Sequence, residues 1–438
     1  KQDVHTDTRP LLARRLVVLS VVSCWPSCPP ARADAGACVI RSETTAEFPP
    51  PPPRGIMPPP SEEFIKSSGL PGGGLPGRVP GARPWIRVPS FNAHARNKMS
   101  MTVDLLKPDG LDIFKRLAKI SDVFVENNPP ATMDKLGISY EMLREQNPEI
   151  IMLRMPAYGS SGPYKNFRGF GLHMESVVGH GSQRGYRDMD PTSNTSVLMT
   201  DAAGGTQGAF AVLAALHHRN RTGEGQLIEL PQAENAIPFL GGSFMDFSMN
   251  GRSASSIGNR HPHAIQGCYP CLGEDRWVVI TIADDSDWRA FIKALGYPGW
   301  AMDEDFIDHI SRYRNHDALD QHIAEWTSRR DHRSVMELLQ SAGVAAGAIL
   351  DQRDAYDDPH LRSRGVFEEA YQEDTGTHLY PGAPYQMSET PIQIRRGPVR
   401  MGEDNEYVYK TLLNVSDEEY AELERAGHIG MDFQEGVS

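Results

Sequence analysis

The sequence has little cysteine: five residues in a chain of 438, too few and odd in number for a fold of this length held together by disulfides. We therefore expect a reducing, cytoplasmic compartment. Two of the cysteines form the stretch CYPC at 268–271, which has the spacing of a metal or redox pair. No second close pair and no matching histidine pair follows it, so we expect two cysteines in a strand and no metal site.

The chain also lacks a long apolar run and an excess of positive charge. The apolar stretch at residues 16–22 is much shorter than the roughly 20 residues of a membrane span. The formal net charge of −13 argues against general nucleic-acid binding, which needs a basic surface. We expect a globular protein that uses neither a membrane nor nucleic acid, and in which local basic residues bind any phosphate-bearing ligand.

Residues 14–36, RRLVVLSVVSCWPSCPPARADAG, allow two interpretations. Two arginines, an apolar run, a cysteine and an Ala-x-Ala are typical of an export signal with a lipid-attachment cysteine. The letters RLVVLS are also typical of a buried first strand of a cytoplasmic enzyme. The first interpretation predicts an exported lipoprotein, and the second predicts that this stretch belongs to the fold.

Strand and helix patterns alternate from residue 99 onward. MSMTVDL, DVFVEN and EIIMLRM are strand-like, whereas GLDIFKRLAKI and SYEMLREQ are helical in pattern. The connections between them are short, which favours a parallel sheet covered by helices. A second unit begins near His261, where RWVVITI precedes an amphipathic helix.

These patterns predict an α/β chain with a Rossmann-like large domain and a smaller inserted α+β domain. We assign residues 1–240 and 361–438 to the large domain and residues 261–360 to the small one. Within the first part, residues 44–90 are a Pro- and Gly-rich extended segment, since proline runs do not form helices or central strands.

The stretch VLMTDAAGGTQGAFAVLAALHH at 197–218 contains the candidate nucleophile, Asp201. Asp201 stands where a helix N-cap would stand, and small residues lead from it into an Ala-rich helix. A plain N-cap is therefore one interpretation. The other is a carboxylate poised to attack a carbonyl, with small residues that let a thioester approach the backbone and helix N–H groups that stabilise an oxyanion.

Several stretches taken in order resemble the family III CoA-transferases, which include formyl-CoA transferase, carnitine CoA-transferase and α-methylacyl-CoA racemase. The resemblance covers roughly residues 84 to 431. It rests on NKMSMTVDL, VENNPPATMDKLGISYEML, NPEIIMLRMPAYGSSGPY, TDAAGG, RTGEGQLIEL, DPHLRSRGVF and MGEDNEYVYKTLLNVSDEEYAEL. The resemblance also implies a first βα unit at residues 14–43. Residues 17–43 align with the family's unit, but Pro29 and Pro30 fall where the family has helix interior, so this unit looks degraded.

The resemblance implies a CoA-transferase that moves CoA from an acyl-CoA to a carboxylic acid. Asp201 then matches the family's catalytic aspartate, which forms an aspartyl anhydride and afterwards an aspartyl-CoA thioester. The family's CoA contacts fall on Arg96, Asn97 and Lys98, on Asn127, and on Lys135. Coenzyme A enters as part of the substrate, and no tightly bound cofactor is implied.

The racemase branch of the family carries an additional histidine at the position of Phe170 in this chain. His173 and Glu175 lie close behind, but helical geometry points them elsewhere, so a transferase is favoured over a racemase. An ordinary packed or hydrogen-bonded histidine is the alternative for His173. A CoA-binding relative without turnover is a further alternative, because the first βα unit is altered. Family members form interlocked homodimers, and the resemblance implies one here.

Overall fold

The computed structural model describes residues 14–19, 33–47, 63, 79, 81–186, 188–193 and 199–437. The chain forms two compact units. The first contains the described residues up to 180 together with residues 199–245 and 363–437, and the second contains the described residues of 181–193 together with residues 246–362.

The first unit is built on a parallel sheet with the strand order β3-β2-β1-β4-β5-β6. Every neighbouring pair is parallel, as the alternation of strand and helix predicts. The strands are β1 (Arg15–Leu19), β2 (Cys38–Glu43), β3 (Met99–Thr102), β4 (Val123–Glu126), β5 (Ile151–Arg154) and β6 (Leu227–Glu229). The α/β fold expected from the sequence is therefore confirmed.

Helices connect these strands, and their local sequences explain where they begin. Pro108 opens the second helix, and the Ser139 hydroxyl accepts the N–H of Met142 at 3.2 Å to cap the fourth. The helices are α1 (Pro89–Ala95), α2 (Pro108–Lys119), α3 (Pro130–Leu136), α4 (Tyr140–Gln146), α5 (Gly171–Val177), α6 (Met199–Thr222), α7 (Gln232–Ala236) and α8 (Gly241–Asn250, ending in the second unit). Short 3₁₀ turns lie at Pro84–Ile86 and Ile237–Leu240.

Both faces of the sheet are buried, because successive strand residues point to opposite sides. On one face, Val17, Ile40 and Phe124 pack against α2 and the C-terminal segment. On the other face, Leu16, Val39 and Leu153 pack against the buried side of α6. The large unit thus has three layers, with helices on both sides of one sheet.

The first strand lies inside this sheet rather than at its edge. β1 pairs with β2 on one side and with β4 on the other, so the prediction that RLVVL forms a buried strand is confirmed. Residues 20–32, which include Pro29 and Pro30, lie outside the described residues. Beyond them, the Asp34 carboxylate is buried and accepts hydrogen bonds from Arg96, which joins this part of the chain to the rest of the unit.

The C-terminal part returns to the first unit. It contains an antiparallel hairpin of β10 (Phe367–Gln372) and β11 (Gly376–Pro381). A π-helix at Tyr407–Leu412 precedes the terminal helix α15 (Asp417–Arg425), and Val408, Tyr409 and Leu423 enter the core of the sheet. The short final helix matches the prediction from SDEEYAELERA.

The second unit has an antiparallel sheet of three strands, in the order β7-β8-β9. These strands are β7 (Ile265–Pro270), β8 (Trp277–Ile282) and β9 (Ala345–Ala348). The helices of this part are α9 (Asp285–Ala294), α10 (His309–Arg314), α11 (His316–Thr327), α12 (His332–Ser341), α13 (Gln352–Asp357) and α14 (Pro359–Ser363, ending in the first unit). Short 3₁₀ turns lie at Gly181–Gln183, Pro191–Ser193, Gly299–Met302 and Glu304–Phe306.

The CYPC stretch falls on the end of β7, as the strand interpretation predicts. Cys268 and Cys271 are free thiols, and burial raises the pKa of Cys271 to about 11. Among the residues that the structure describes, no cluster of histidine, cysteine and carboxylate side chains could hold a metal ion. Of the described helices, none has the length and apolar character needed to cross a bilayer.

Candidate active site

The candidate nucleophile and part of the candidate binding residues lie at the carboxyl edge of the parallel sheet. In an open parallel sheet, ligands bind where the strands end and the crossover helices begin. Asn127 follows β4, Met155 follows β5, and Leu230 follows β6. Since α6 connects β5 to β6, its first turn lies at this same edge, and this first turn contains Asp201.

Asp201 is the third residue of α6, so the alternative interpretation of it as a plain N-cap is wrong. The helix begins two residues earlier, at Met199, and the carboxylate of Glu175 accepts the Met199 backbone N–H. Among the described residues, no group donates a hydrogen bond to the Asp201 carboxylate. Asp201 is therefore a partly buried carboxylate whose oxygens are not used to cap its own helix.

The surroundings of Asp201 make its carboxylate more basic than usual. Burial raises the pKa of Asp201 to about 6, and the nearby negative charge of Glu175 adds to this increase. The group is still mostly ionised at neutral pH, but it has lost part of its hydration. A carboxylate in this condition suits nucleophilic attack, because less water must be removed before it reaches a carbonyl carbon.

The glycines after Asp201 have a packing role that sequence reasoning missed. A Cβ on Gly204 would lie 3.1 Å from Cε of Met155, and one on Gly208 would lie 3.0 Å from Cδ2 of Leu153. These two glycines face β5 and let α6 approach the sheet closely. Their spacing of four residues is the signal that could have revealed this, since residues four apart share one helix face.

Two buried carboxamides lie beside the first turns of α6. Gln232 donates to the backbone oxygen of Met155 at 2.9 Å, and Asn235 donates to that of Thr200 at 3.3 Å. Both side-chain carbonyl oxygens are buried without a hydrogen-bond partner among the described residues. These oxygens are acceptors that α6 and β5 leave unused, and the sequence alone did not single them out.

The predicted CoA contacts Arg96, Asn97 and Lys98 lie at the opposite edge of the sheet. They directly precede β3, whereas Asn127 directly follows β4, and the two strands are parallel members of one sheet. The structure therefore does not bring all the predicted CoA contacts to one edge.

These three residues also have internal partners. The buried guanidinium of Arg96 forms an ion pair with Asp34 at 3.1 Å, and the Asn97 amide donates to the same carboxylate at 2.6 Å. The ammonium of Lys98 is buried and donates to backbone oxygens of His94 and Arg96 at 2.5 and 3.2 Å.

Positive charge is nevertheless concentrated at this amino edge. Burial lowers the pKa of His94 to about 3, and the neighbouring charges of Lys98, Arg96 and Arg41 contribute to this decrease. Arg41, on β2, is a basic residue that the set of predicted contacts omitted. The alignment of VIRSE with the family's Val-Ile-Lys-x-Glu was the signal that could have identified it.

Asn127 and Lys135 lie on the side of the sheet where β4 ends. Asn127 is buried next to Glu126, whose carboxylate accepts the Arg154 side chain at 2.8 Å and the Asn128 N–H at 2.7 Å. Burial raises the pKa of Glu126 to about 7 despite the positive charge of Arg154. Lys135 is exposed in the last turn of α3, where an ammonium group is available to a ligand.

The residues compared with the racemases have structural partners. Phe170 precedes α5 and is exposed, and the ring nitrogen Nδ1 of His173 accepts the Phe170 backbone N–H at 3.3 Å. His173 therefore caps α5, which is the ordinary alternative weighed for it. Glu175 is fully buried and lies close enough to Asp201 to influence its ionisation.

Comparison with known proteins identifies the class. The chain is 29% identical over 331 residues to the succinyl-CoA–D-citramalate CoA-transferase of Chloroflexus aurantiacus, covering 75% of this chain and 82% of that protein. It is 29% identical to the succinate–glutarate CoA-transferase of Agrobacterium fabrum, covering 74% and 81% of the two chains. It is 25% identical to a formyl-CoA:oxalate CoA-transferase of Rhodopseudomonas palustris, covering 77% and 84%. The protein is a CoA-transferase.

The family follows from a match over most of the chain. The model of CoA-transferase family III matches residues 79–405, and the chain belongs to this family. Solved structures agree in fold: a CAIB/BAIF family protein from Brucella suis superposes with a TM-score of 0.77 at 24% identity, covering 92% of this chain and 99% of that one. The family resemblance stated from sequence motifs is thus confirmed.

Proposed function

We propose that this protein transfers CoA from an acyl-CoA thioester to a free carboxylic acid, with Asp201 as the covalent nucleophile. The observation that carries the proposal is the Asp201 carboxylate, which is partly buried at the carboxyl edge of the sheet and receives no hydrogen bond from the described residues. A structural aspartate in a first helical turn would use its oxygens as hydrogen-bond acceptors.

The proposed reaction has four acyl-transfer steps. An Asp201 oxygen bonds to the thioester carbonyl carbon, and the C–S bond breaks. CoA departs as the thiolate, and Asp201 is left as a mixed anhydride. The thiolate then attacks the Asp201 carbonyl carbon, which gives aspartyl-CoA and releases the donor acid as a carboxylate. The acceptor carboxylate attacks this thioester and expels the thiolate, and the thiolate attacks the acceptor carbonyl of the new anhydride. The products are the new acyl-CoA and free Asp201.

We propose dicarboxylic acids of two to five carbons, with or without a hydroxyl group, as the substrate class. The relatives are named for succinate, citramalate, malate, glutarate and oxalate, all of which are dicarboxylates; the formyl donor of one relative is the exception. A panel of such acids with succinyl-CoA as donor, read by mass spectrometry of the acyl-CoA products, tests this assignment. Transfer to monocarboxylic acids alone would contradict it.

Trapping the covalent intermediate tests the nucleophile. Hydroxylamine attacks an aspartyl-CoA thioester, releases CoA and leaves a hydroxamate on the aspartate. With succinyl-CoA present, peptide mass spectrometry should find this modification on Asp201, and D201N should show neither modification nor turnover. The exposed Asp134 on α3 supplies the matched control D134N, which should retain both. An unmodified Asp201 in a protein that still binds CoA would favour a non-catalytic relative, and exchange of the α-proton without transfer would favour a racemase.

We propose Arg96, Asn97, Lys98, Asn127 and Lys135 as CoA contacts, and the structure suggests a different experiment for each edge of the sheet. Lys135 is exposed, so K135A should raise the KM for acyl-CoA several-fold with little change in stability, whereas K119A on the exposed end of α2 should leave it unchanged. Arg96 pairs with buried Asp34, so R96A should cost about 3 kcal/mol of stability in addition to any effect on binding. An unchanged KM in K135A would remove Lys135 from the contacts.

We also propose a homodimer. Large apolar side chains are exposed along α8 and the turn before it: Phe239, Phe244, Met245, Phe247 and Met249. Exposed apolar side chains in such number are typical of a protein interface. Light scattering should give twice the chain mass, F247E should lower it, and F210E on α6, where Phe210 is also exposed, serves as a second probe. A monomeric wild-type protein would contradict the proposal.

A further inference from the structure

Glu175 binds the first backbone N–H group of the helix that carries Asp201. It lies on α5, and its carboxylate accepts the N–H of Met199, two residues before Asp201. The hydroxyl of Thr200 also reaches the backbone oxygen of Gly171, at 3.5 Å. Because a carboxylate at a helix N-terminus interacts favourably with the unpaired N–H groups there, this contact fixes the start of α6.

Glu175 is buried, so its carboxylate depends on polar neighbours in the protein. Its side chain is completely buried, and a buried carboxylate is costly unless polar partners compensate for the lost water. Met199 binds Oε1, and the ring nitrogen Nδ1 of His180 lies 3.5 Å from Oε2. Gly179, with a φ of 82°, turns the chain so that the His180 backbone N–H bonds to the Glu175 carbonyl oxygen at 3.0 Å.

Other charged groups near the first turn of α6 have different neighbours. His173 caps its own helix, and Arg154 is paired with Glu126. Glu234 on α7 is exposed to solvent. The negative charge that acts on Asp201 is that of Glu175.

We propose that Glu175 is a positioning residue for the covalent step: it fixes the first turn of α6 so that the Asp201 carboxylate is aligned with the thioester carbonyl. This inference rests on the proposed function, because it assumes that Asp201 is the nucleophile. The negative charge of Glu175 has a second effect, since a nearby like charge keeps Asp201 more basic than an ordinary aspartate.

Two substitutions at Glu175 separate its hydrogen bond from its charge. E175Q keeps an oxygen that can accept the Met199 N–H but removes the charge. E175A removes both. In single-turnover acylation by succinyl-CoA at pH 8, we expect E175A to be slowed at least about tenfold, with little change in the succinyl-CoA concentration that gives half the maximal rate. E175Q should recover most of the wild-type rate.

The pH profile supplies a readout that a purely structural role would not change. In E175Q, the acidic limb of the acylation rate should move to lower pH, because the like charge beside Asp201 is absent. E234Q removes a carboxylate from the exposed face of neighbouring α7 and should leave rate and pH profile unchanged.

The outcomes distinguish this inference from the proposed function. If D201N is inactive, but E175A and E175Q keep the wild-type rate and acidic limb, Glu175 is not a positioning residue. The same conclusion follows if both variants only lower the unfolding midpoint. If D201N still turns over and forms the trapped intermediate elsewhere, the proposed nucleophile is wrong, whatever the Glu175 variants do.

Discussion

Replacing Asp201 by asparagine should stabilise the folded protein while it abolishes transfer. Burial and the charge of Glu175 raise the pKa of Asp201 from its ordinary 3.8 to about 6. The folded state therefore binds this proton more tightly than the unfolded state does. The resulting stability is complete below about pH 3.8 and is lost as the pH rises through about 6.

The size of the effect follows from the same difference in pKa. About two pH units correspond to about 3 kcal/mol at roughly 1.4 kcal/mol per unit. Asp201 is only partly buried, so solvent screening reduces the expected cost of its ionisation to about 1–2 kcal/mol. Asparagine has nearly the same shape and no charge. D201N should therefore exceed the wild type in stability by about 1–2 kcal/mol at pH 8.

Urea unfolding followed by circular dichroism at pH 8, 6 and 4.5 measures this difference. The advantage of D201N should decrease as the pH falls, because the wild-type carboxyl becomes protonated in the folded protein first. D134N changes an exposed aspartate of the same unit and should stay within about 0.5 kcal/mol of wild type. A D201N protein that is less stable than wild type at pH 8, or an advantage independent of pH, would refute the reasoning.

Three further predictions concern the same edge of the sheet. The single-turnover acylation rate should fall about tenfold from pH 8 to pH 5, because Asp201, with a pKa of about 6, is then mostly protonated; a flat profile over this range would contradict the raised pKa. G208A should lower the free energy of unfolding by about 1–2 kcal/mol in urea, since its Cβ meets Leu153 at 3.0 Å. L153A should then cost less stability in the G208A background than in wild type, and an equal cost in both backgrounds would show that this contact is absent. E126A should lower the free energy of unfolding by about 3 kcal/mol, because it leaves the Arg154 guanidinium without its carboxylate. A loss below about 1 kcal/mol would show that Arg154 does not need this buried partner.

The parallel sheet could be predicted because its signals are local. MSMTVDL, DVFVEN and EIIMLRM became β3, β4 and β5, and SYEMLREQ became α4 with Ser139 as its cap. The stretch RLVVL was ambiguous because a short apolar run fits both an export signal and a buried strand. Pairing with β2 and β4 placed it inside the sheet, and pairing partners distant in sequence do not appear in a local pattern.

The predicted CoA contacts show where spacing along the chain is insufficient. Lys98 and Asn127 lie only 29 positions apart in the sequence, yet one precedes a strand and the other follows one, which places them at opposite edges of a parallel sheet. The ion pair of Arg96 with Asp34 joins residues 62 positions apart. Which residues form such ion pairs depends on how distant segments pack together, and residue type alone does not reveal the pairing.

The sequence by itself determined the family and the alternation of strands and helices, and it singled out Asp201 as the candidate nucleophile. These are properties of residue type and order, which local periodicity and motifs record. Only the tertiary structure decided that Asp201 lies inside its helix rather than at the cap, and that Glu175 occupies the helix start in its place. The reason is physical: burial and the approach of a second carboxylate set the basicity of Asp201, and both arise when α5 packs against α6.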